Sequence, residues 1–267
     1  MKWNYKTDND TQILYFLSQA RYATTNQLAR LFFDSSVRAD TSIRRASFTL
    51  QSLKKAGLVS QLKRRIGGVR RGSASYVWQI TFKGLKLLKN QDDSIILRYK
   101  NKYEPTQHHV EHTLAITEIF VETLETIRDS EKLSLETFSF EPNSWRSYRK
   151  LSGVGMTLKP DAYLELVNHD YEDHYFLEID RSTESLVRIL NTCKKYIEYY
   201  RSGIEQRQKE VFPYVLWVVP DDKRKLAISK VIQKELYNFW ELFTVITLDE
   251  YSDYIKGGVS NESEESR

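Results

Sequence analysis

The sequence has little of what extracellular, membrane or zinc-binding proteins need. It contains one cysteine, Cys193, and five histidines in 267 residues, which excludes an internal disulfide and argues against a structural zinc site. No apolar run approaches the roughly 20 residues of a membrane-spanning helix. The start, MKWNYKTDND, lacks the apolar core of a signal peptide. We therefore expect a cytoplasmic protein with no membrane partner.

Acidic residues are missing from one long segment of the chain. Residues 41–91 contain 12 Lys and Arg but no Asp or Glu, while the whole chain has 40 basic and 36 acidic residues. The segment therefore carries a charge of +12 and the remainder −8, although the net charge is only +4. A focused positive surface is typical of proteins that bind the phosphates of nucleic acid, whereas an ordinary surface intersperses both signs.

The length and the changes in composition predict two domains. A chain of 267 residues can form two domains that each bury a core. The sequence turns polar after residue 90, and Pro105 precedes a long amphipathic stretch. The predicted divisions are a first domain at 1–92, a linker at 93–106, a second domain at 107–255 and a disordered acidic tail at 256–267.

The first domain has the pattern of three helices followed by a β-hairpin. Apolar residues at helical spacing predict the helices, of which the third begins at Thr41 or Ser42 and ends at Gly57. Two strands then flank a turn at Gly67 and Gly68. This order resembles a winged helix, in which the third helix enters the major groove of DNA and the hairpin, or wing, contacts the DNA backbone.

The basic and polar side chains of this domain predict double-stranded DNA as the partner. Side chains able to reach base edges lie on the polar faces of the third helix: Arg44, Arg45, Ser47, Gln51 and Lys54. Side chains suited to phosphates lie on the wing: Lys63, Arg64, Arg65, Arg70 and Arg71. The alternatives are that these charges are only solvated or that the domain binds another protein.

The second domain is predicted to belong to the α/β (α+β) class, with a mixed sheet flanked by helices. Periodicity gives the order helix, three strands, helix, strand, helix, strand. The predicted helices are 107–129, 182–200 and 223–242, and the predicted strands are 133–140, 158–167, 174–179, 212–219 and 243–248.

Three carboxylates in this domain are candidates for chemistry. Asp161 and Glu178 lie on adjacent predicted strands, and converging carboxylates are common Mg²⁺ ligands, so these two are the candidate metal ligands. Asp180 shares the strand face of Glu178, and Lys194 on the next helix can supply a cation, which completes the catalytic candidates. The structural alternative is a polar cluster that bonds Arg188, Lys194 or Tyr196 and fixes the helix on the sheet.

The phrases KPDAYLEL and YFLEIDRSTES, followed by a helix that ends KKYIEYY, resemble the PD-(D/E)XK nuclease-like fold. Over both domains the chain resembles the replication-relaxation family of plasmids and integrative elements, in which a winged helix precedes such a domain. The nuclease pattern has Lys two residues after its second carboxylate, where this chain has Asp180. The resemblance therefore implies a degenerate nuclease-like domain.

The first hypothesis is thus a DNA-binding protein that acts in replication, mobilisation or relaxation, or in their control. Plasmid replication or relaxase proteins and a second copy of the chain are further candidate partners, and Mg²⁺ is the one candidate cofactor. The second hypothesis is an enzyme, a Mg²⁺-dependent nickase or endonuclease that uses Asp161 and Glu178. A third is a transcriptional regulator whose second domain dimerises.

Overall fold

The structure is a computed structural model that describes residues 8–33, 38–63, 75–95, 97, 105–150, 153–168 and 171–257. Four predicted wing residues lie outside these ranges: Arg64, Arg65, Arg70 and Arg71. Most of the predicted linker and of the predicted tail also lies outside them. The chain forms two compact units, and the boundary between them falls between Val121 and Glu122. The predicted domain limits of 92 and 107 stay predictions.

The N-terminal unit is mainly helical. Its elements are α1 (Asn9–Ala20), β1 (Ala23–Thr24), α2 (Thr25–Phe32), α3 (Ala39–Lys55), β2 (Val59–Gln61), β3 (Val77–Ile80), α4 (Phe82–Lys89) and the first part of α5 (Gln107–Arg128). Side-chain caps start several helices. Asp8 accepts the Thr11 N–H at the start of α1, and Thr24 forms a capping box with Gln27 at the start of α2.

The core of this unit fixes the orientation of α3. The three short strands form an antiparallel sheet in the order β1-β3-β2. Trp78 of β3 is buried, and its Nε1 donates a hydrogen bond of 2.9 Å to Thr25 Oγ1 at the start of α2. On α3 the buried apolar residues are Ala46, Leu50 and Leu53. Because they share one side of the helix, the opposite side faces solvent.

The C-terminal unit contains the larger sheet. After the end of α5 its elements are β4 (Leu133–Phe140), β5 (Arg146–Arg149), β6 (Gly155–Leu158), β7 (Ala162–Asn168), β8 (Tyr171–Ile179), α6 (Leu186–Ser202), α7 (Ile204–Lys209), β9 (Tyr214–Val219), α8 (Asp222–Glu235), a short 3₁₀ helix (Trp240–Leu242), β10 (Phe243–Thr247) and α9 (Tyr251–Ile255).

The five-stranded sheet has the order β10-β9-β8-β7-β4. Strands β4, β7 and β8 pair antiparallel, whereas β8, β9 and β10 pair parallel. Phe176 of β8 and Trp217 of β9 pack with Tyr196 of α6 and Ile228 of α8 in one buried cluster. The predicted α/β class and the mixed sheet are confirmed.

Some predicted bounds of the second domain are wrong. A hairpin of β5 and β6 lies between the predicted strands 133–140 and 158–167, where no strand was predicted, and its Tyr148 turns inward and packs on Tyr199. Helix α6 begins at Leu186 rather than Ser182, since the side chain of Ser185 caps it and Ser182 has a φ of 58°. Helix α8 ends at Glu235 rather than 242.

None of the helices in the described ranges combines the length and hydropathy that crossing a lipid bilayer requires.

Candidate functional site

The solvent face of α3 presents most of the predicted DNA-binding residues. Arg44, Arg45 and Gln51 are exposed, whereas Ser47 is half-buried. Lys54 is exposed but directed toward β2, where its Nζ donates a hydrogen bond of 3.0 Å to Gln61 Oε1. Lys63, just beyond β2, is exposed as well. The only acidic residue of α3 is Asp40, in its first turn, so its solvent face is positive.

Phe48 is a residue of this face that the sequence interpretation missed. Its side chain is 80% exposed, although large apolar side chains of folded domains are usually covered. Phe48 follows Arg44 by four residues and precedes Gln51 by three, so the three side chains share one stripe of the helix. Lys55 continues that stripe and is also exposed. The helical period measured from Arg44 would have identified both residues.

Asp161 and Glu178 lie side by side in the C-terminal unit, as predicted. The register that pairs Ala162 with Leu177 brings Asp161, just before β7, next to Glu178 on β8. Both residues are buried. Asp161 Oδ2 accepts a hydrogen bond of 2.8 Å from the Ile179 N–H, and Glu178 Oε1 accepts one of 2.5 Å from the Tyr196 hydroxyl. The sequence analysis named Arg188, Lys194 and Tyr196 as partners of a purely structural cluster, and the hydrogen bond from Tyr196 confirms one of the three.

The environment of Glu178 favours its neutral form. Burial and the neighbouring charge of Asp161 raise the pKa of Glu178 well above its usual range, against the opposing effect of the hydrogen bond from Tyr196. Burial, together with the charge of Glu178, likewise raises the pKa of the Tyr196 hydroxyl. The folded protein therefore holds the proton of Glu178 more tightly than a solvent-exposed glutamate would.

Asp180 turns away from this pair and binds an arginine. Arg224, in the first turn of α8, donates from Nε to Asp180 Oδ2 at 2.6 Å and from Nη2 to Asp180 Oδ1 at 3.0 Å. The side chains of Asp180 and Arg224 are 1% and 15% exposed. The Ser182 N–H adds a further hydrogen bond to Asp180. A bidentate, buried ion pair of this kind satisfies the carboxylate fully.

The structure does not bring Lys194 to the carboxylates. Lys194 is exposed on α6, and no ion pair among the described residues joins it to Asp161, Glu178 or Asp180. Arg188, another suggested partner, pairs instead with Glu184 at 3.0 Å. The cation beside Asp180 is Arg224, which the sequence interpretation did not consider. In the sequence Arg224 is only the last residue of DDKR at the start of a helix, and this pattern does not indicate an ion pair with a residue 44 positions away.

A second polar cluster lies farther along the same strands. The cluster consists of Glu165, Glu172 and His174. Within the described ranges it is the one set of three potential metal ligands (His, Cys, Asp or Glu) whose ligand atoms all lie within 4.8 Å of one another. His174 Nδ1 is 2.8 Å from the Tyr163 hydroxyl, and Lys209 Nζ donates to Glu165 Oε1 at 3.0 Å. Because the ammonium of Lys209 already neutralises Glu165, we interpret the cluster as a structural network.

The comparison with known families identifies the chain. Residues 14–215 match the sequence profile of a family described as Replication-relaxation. The chain belongs to the replication-relaxation family. This confirms the resemblance drawn from the sequence. The region matched to the replication-relaxation family contains α3, Asp161, Glu178 and Asp180 but ends before Arg224. No curated protein and no solved structure matched the chain.

Proposed function

We propose that this replication-relaxation protein binds double-stranded DNA of a plasmid or integrative element and acts in its replication, its relaxation or their control. The observation that carries the proposal is the solvent face of α3, where Arg44, Phe48, Gln51 and Lys55 form one stripe. This stripe lies in the segment of charge +12. Such a face suits both the phosphates and the base edges of DNA.

The order of elements in the N-terminal unit supports a winged-helix mode of binding. Helices α2 and α3 are followed by β2 and β3, and β1 completes the small sheet by pairing with β3. In a winged helix the helix that corresponds to α3 lies in the major groove, which is wide enough to admit an α-helix. The solvent face of α3 then meets the bases, and Lys63 with the wing meets the backbone.

The side chains of the stripe differ in what they recognise. Arg44 can donate two hydrogen bonds to guanine, and Gln51 can pair with the N6 and N7 atoms of adenine. The exposed ring of Phe48 suits the methyl group of thymine, which projects into the major groove. Lys55 lies one turn beyond Gln51 and suits a phosphate. We therefore assign Phe48 to base recognition together with Arg44 and Gln51.

The strand order of the C-terminal unit supports the nuclease-like assignment, but its carboxylates do not fit a resident Mg²⁺. In the five-stranded sheet, the antiparallel strands β4, β7 and β8 come first in the chain, and the parallel strand β9 follows after α6 and α7. Asp161 and Glu178 each accept a hydrogen bond from the protein, burial and the charge of Asp161 raise the pKa of Glu178, and Asp180 is paired with Arg224. Mg²⁺ requires ionised or carbonyl oxygen ligands. We therefore propose that this domain recognises DNA or a partner protein without cutting.

The test of DNA binding compares two variants that each lose one positive charge, one on α3 and one elsewhere. Binding of the full chain to labelled duplex DNA is measured by fluorescence anisotropy for the wild type, Arg44→Ala and Lys230→Ala. Lys230 is an exposed residue of α8 and serves as the control. We expect Arg44→Ala to weaken binding to preferred sites and Lys230→Ala to have little effect. Equal binding by all three proteins would exclude α3 as the interface.

The nickase alternative is tested separately. Supercoiled plasmid is incubated with the protein and Mg²⁺ or Mn²⁺, with Asp161→Ala as the matched variant. We expect no conversion to open circles by either protein. Nicking by the wild type that disappears in Asp161→Ala would establish the enzyme instead.

A further inference from the structure

A second basic surface lies in the C-terminal unit, between the β5–β6 hairpin and helices α6 and α7. It forms a pocket of about 1030 Å³ that is open to solvent. The cations that line this pocket are Arg149, Lys150, Arg201 and Arg207, and the single carboxylate is Glu198. We call it the hairpin groove. Nothing in the proposed role of α3 accounts for it.

The charges of the hairpin groove are not balanced from within. Glu198 is shared by Lys150, at 3.0 Å, and the Tyr148 hydroxyl, at 3.2 Å. The three arginines form no ion pair with any described residue. Arg201 stands over the Phe239 ring at 4.9 Å, and Arg207 donates one hydrogen bond to the Ser202 carbonyl. Each guanidinium therefore keeps N–H donors that face solvent, in the geometry that phosphate oxygens accept.

The walls of the hairpin groove are already fixed. Arg146 of β5 donates to Glu205 Oε1 of α7 at 2.6 Å, and the Tyr199 hydroxyl of α6 donates to the same oxygen at 2.9 Å. The guanidinium of Arg146 also lies over the Tyr163 ring, 4.7 Å from its centroid. Because the hairpin, α6 and α7 are joined through buried groups, a ligand would meet a preformed site and little ordering would oppose binding.

We propose that the hairpin groove binds the sugar-phosphate backbone of a DNA strand. The inference takes DNA as the partner from the proposed function, but it concerns different residues in a different unit. The three arginines supply a track for phosphates, and Met156 and Ile204 supply an apolar floor against which sugars pack.

The test compares DNA binding by a variant that lacks the three arginines of the groove with binding by a variant that has lost three positive charges elsewhere. The groove variant is Arg149→Gln, Arg201→Gln and Arg207→Gln in one chain. The control variant is Lys223→Gln, Lys230→Gln and Lys234→Gln, three exposed residues of α8. A third variant, Arg44→Ala with Gln51→Ala, removes base contacts of α3. All are full-length, and their binding to single-stranded and duplex oligonucleotides is titrated over a range of salt concentrations.

We expect the groove variant to bind at least one DNA form about tenfold or more weakly at 0.1 M salt. For a single strand, the slope of log K against log salt should fall by about 2, since each lost phosphate contact contributes about 0.7. The control variant should keep the wild-type slope. The DNA form that shows the difference identifies the strand that the groove holds, and unchanged melting temperatures show that the variants fold.

Two results would overturn the proposal. One is equal binding of both DNA forms by the groove and control variants. The other is competition by inorganic triphosphate as strong as that by a DNA strand of the same total charge, which would identify a site for small anions. If only the groove variant loses binding, the α3 interface is rejected and the groove proposal holds. If only the α3 variant loses binding, the groove proposal is rejected and the α3 interface holds.

Discussion

Arg224 holds Asp180 by two parallel hydrogen bonds, from Nε to Oδ2 at 2.6 Å and from Nη2 to Oδ1 at 3.0 Å. Asp180 occupies the position at which the nuclease pattern has Lys. The acid that replaces this cation is therefore neutralised from another helix, and it is not free to join Asp161 and Glu178. This pair explains why three neighbouring carboxylates are tolerated in one buried region.

Replacing Arg224 should lower the stability of the fold. Arg224→Met leaves the buried Asp180 carboxylate without a cation, so the free energy of unfolding should fall by about 3 to 5 kcal/mol. Urea unfolding measures the change. Lys194→Met is the matched control, because Lys194 is exposed, and its effect should stay within about 0.5 kcal/mol. An equal loss in both variants would show that Lys194 supports the carboxylates as well.

Glu178 should make stability depend on pH. Its pKa is raised in the folded protein, so its stabilising contribution is complete below about pH 4.5, the ordinary value, and is lost as pH rises through the folded value. Glu178→Gln imitates the protonated form and can still accept the Tyr196 hydrogen bond. Its melting temperature should exceed that of the wild type at pH 8, and the difference should shrink toward pH 5. Glu241→Gln, at an exposed site, serves as control. Parallel profiles for wild type and Glu178→Gln would contradict the assignment.

Phe48 offers a test at the level of a single methyl group. If its ring contacts a thymine methyl, replacing that thymine with deoxyuridine should weaken binding by the wild type by about 1 kcal/mol, the order of one buried methyl group. Phe48→Ala should bind both DNAs alike and as weakly as the wild type binds the deoxyuridine site. Scanning each thymine of a preferred site by competition gives the measurement. A deoxyuridine penalty that persists in Phe48→Ala would assign the methyl contact to another residue.

The basic hairpin predicted from the sequence has its own electrostatic signature. Changing Arg64, Arg65, Arg70 and Arg71 to Gln should weaken binding to all duplexes alike, and each lost phosphate contact should lower the salt slope by about 0.9. Anisotropy titrations at several salt concentrations provide the slopes. An unchanged slope would mean that these arginines do not contact the backbone.

The parts of the molecule that depend on local sequence could be predicted. The apolar spacing of Ala46, Leu50 and Leu53 was enough to orient α3. The succession of two predicted strands was enough to suggest that Glu178 lies near Asp161. The same helical period places Phe48 on the solvent face, but an apolar side chain has neither the charge nor the hydrogen-bonding groups by which a DNA-binding residue is recognised in a sequence.

Contacts between distant segments could not be predicted. Arg224 and Asp180 are 44 residues apart, and their pairing depends on how α8 lies across the sheet. The hairpin groove depends on where the β5–β6 hairpin lies against α7, and the bond that joins them links Arg146 and Glu205, which lie 59 residues apart. Neither periodicity nor charge counting identifies which of many Arg and Glu residues meet.

The central claim is that α3 reads DNA sequence, and selection of binding sites from a random duplex library tests it most directly. The wild type should enrich a defined site, and Gln51→Ala should enrich a site that has lost its preference at one position, with a discrimination of about 1 to 3 kcal/mol removed there. Lys230→Ala should enrich the wild-type site. Enrichment of the same site by the wild type and by Arg44→Ala, Phe48→Ala and Gln51→Ala alike would contradict the claim.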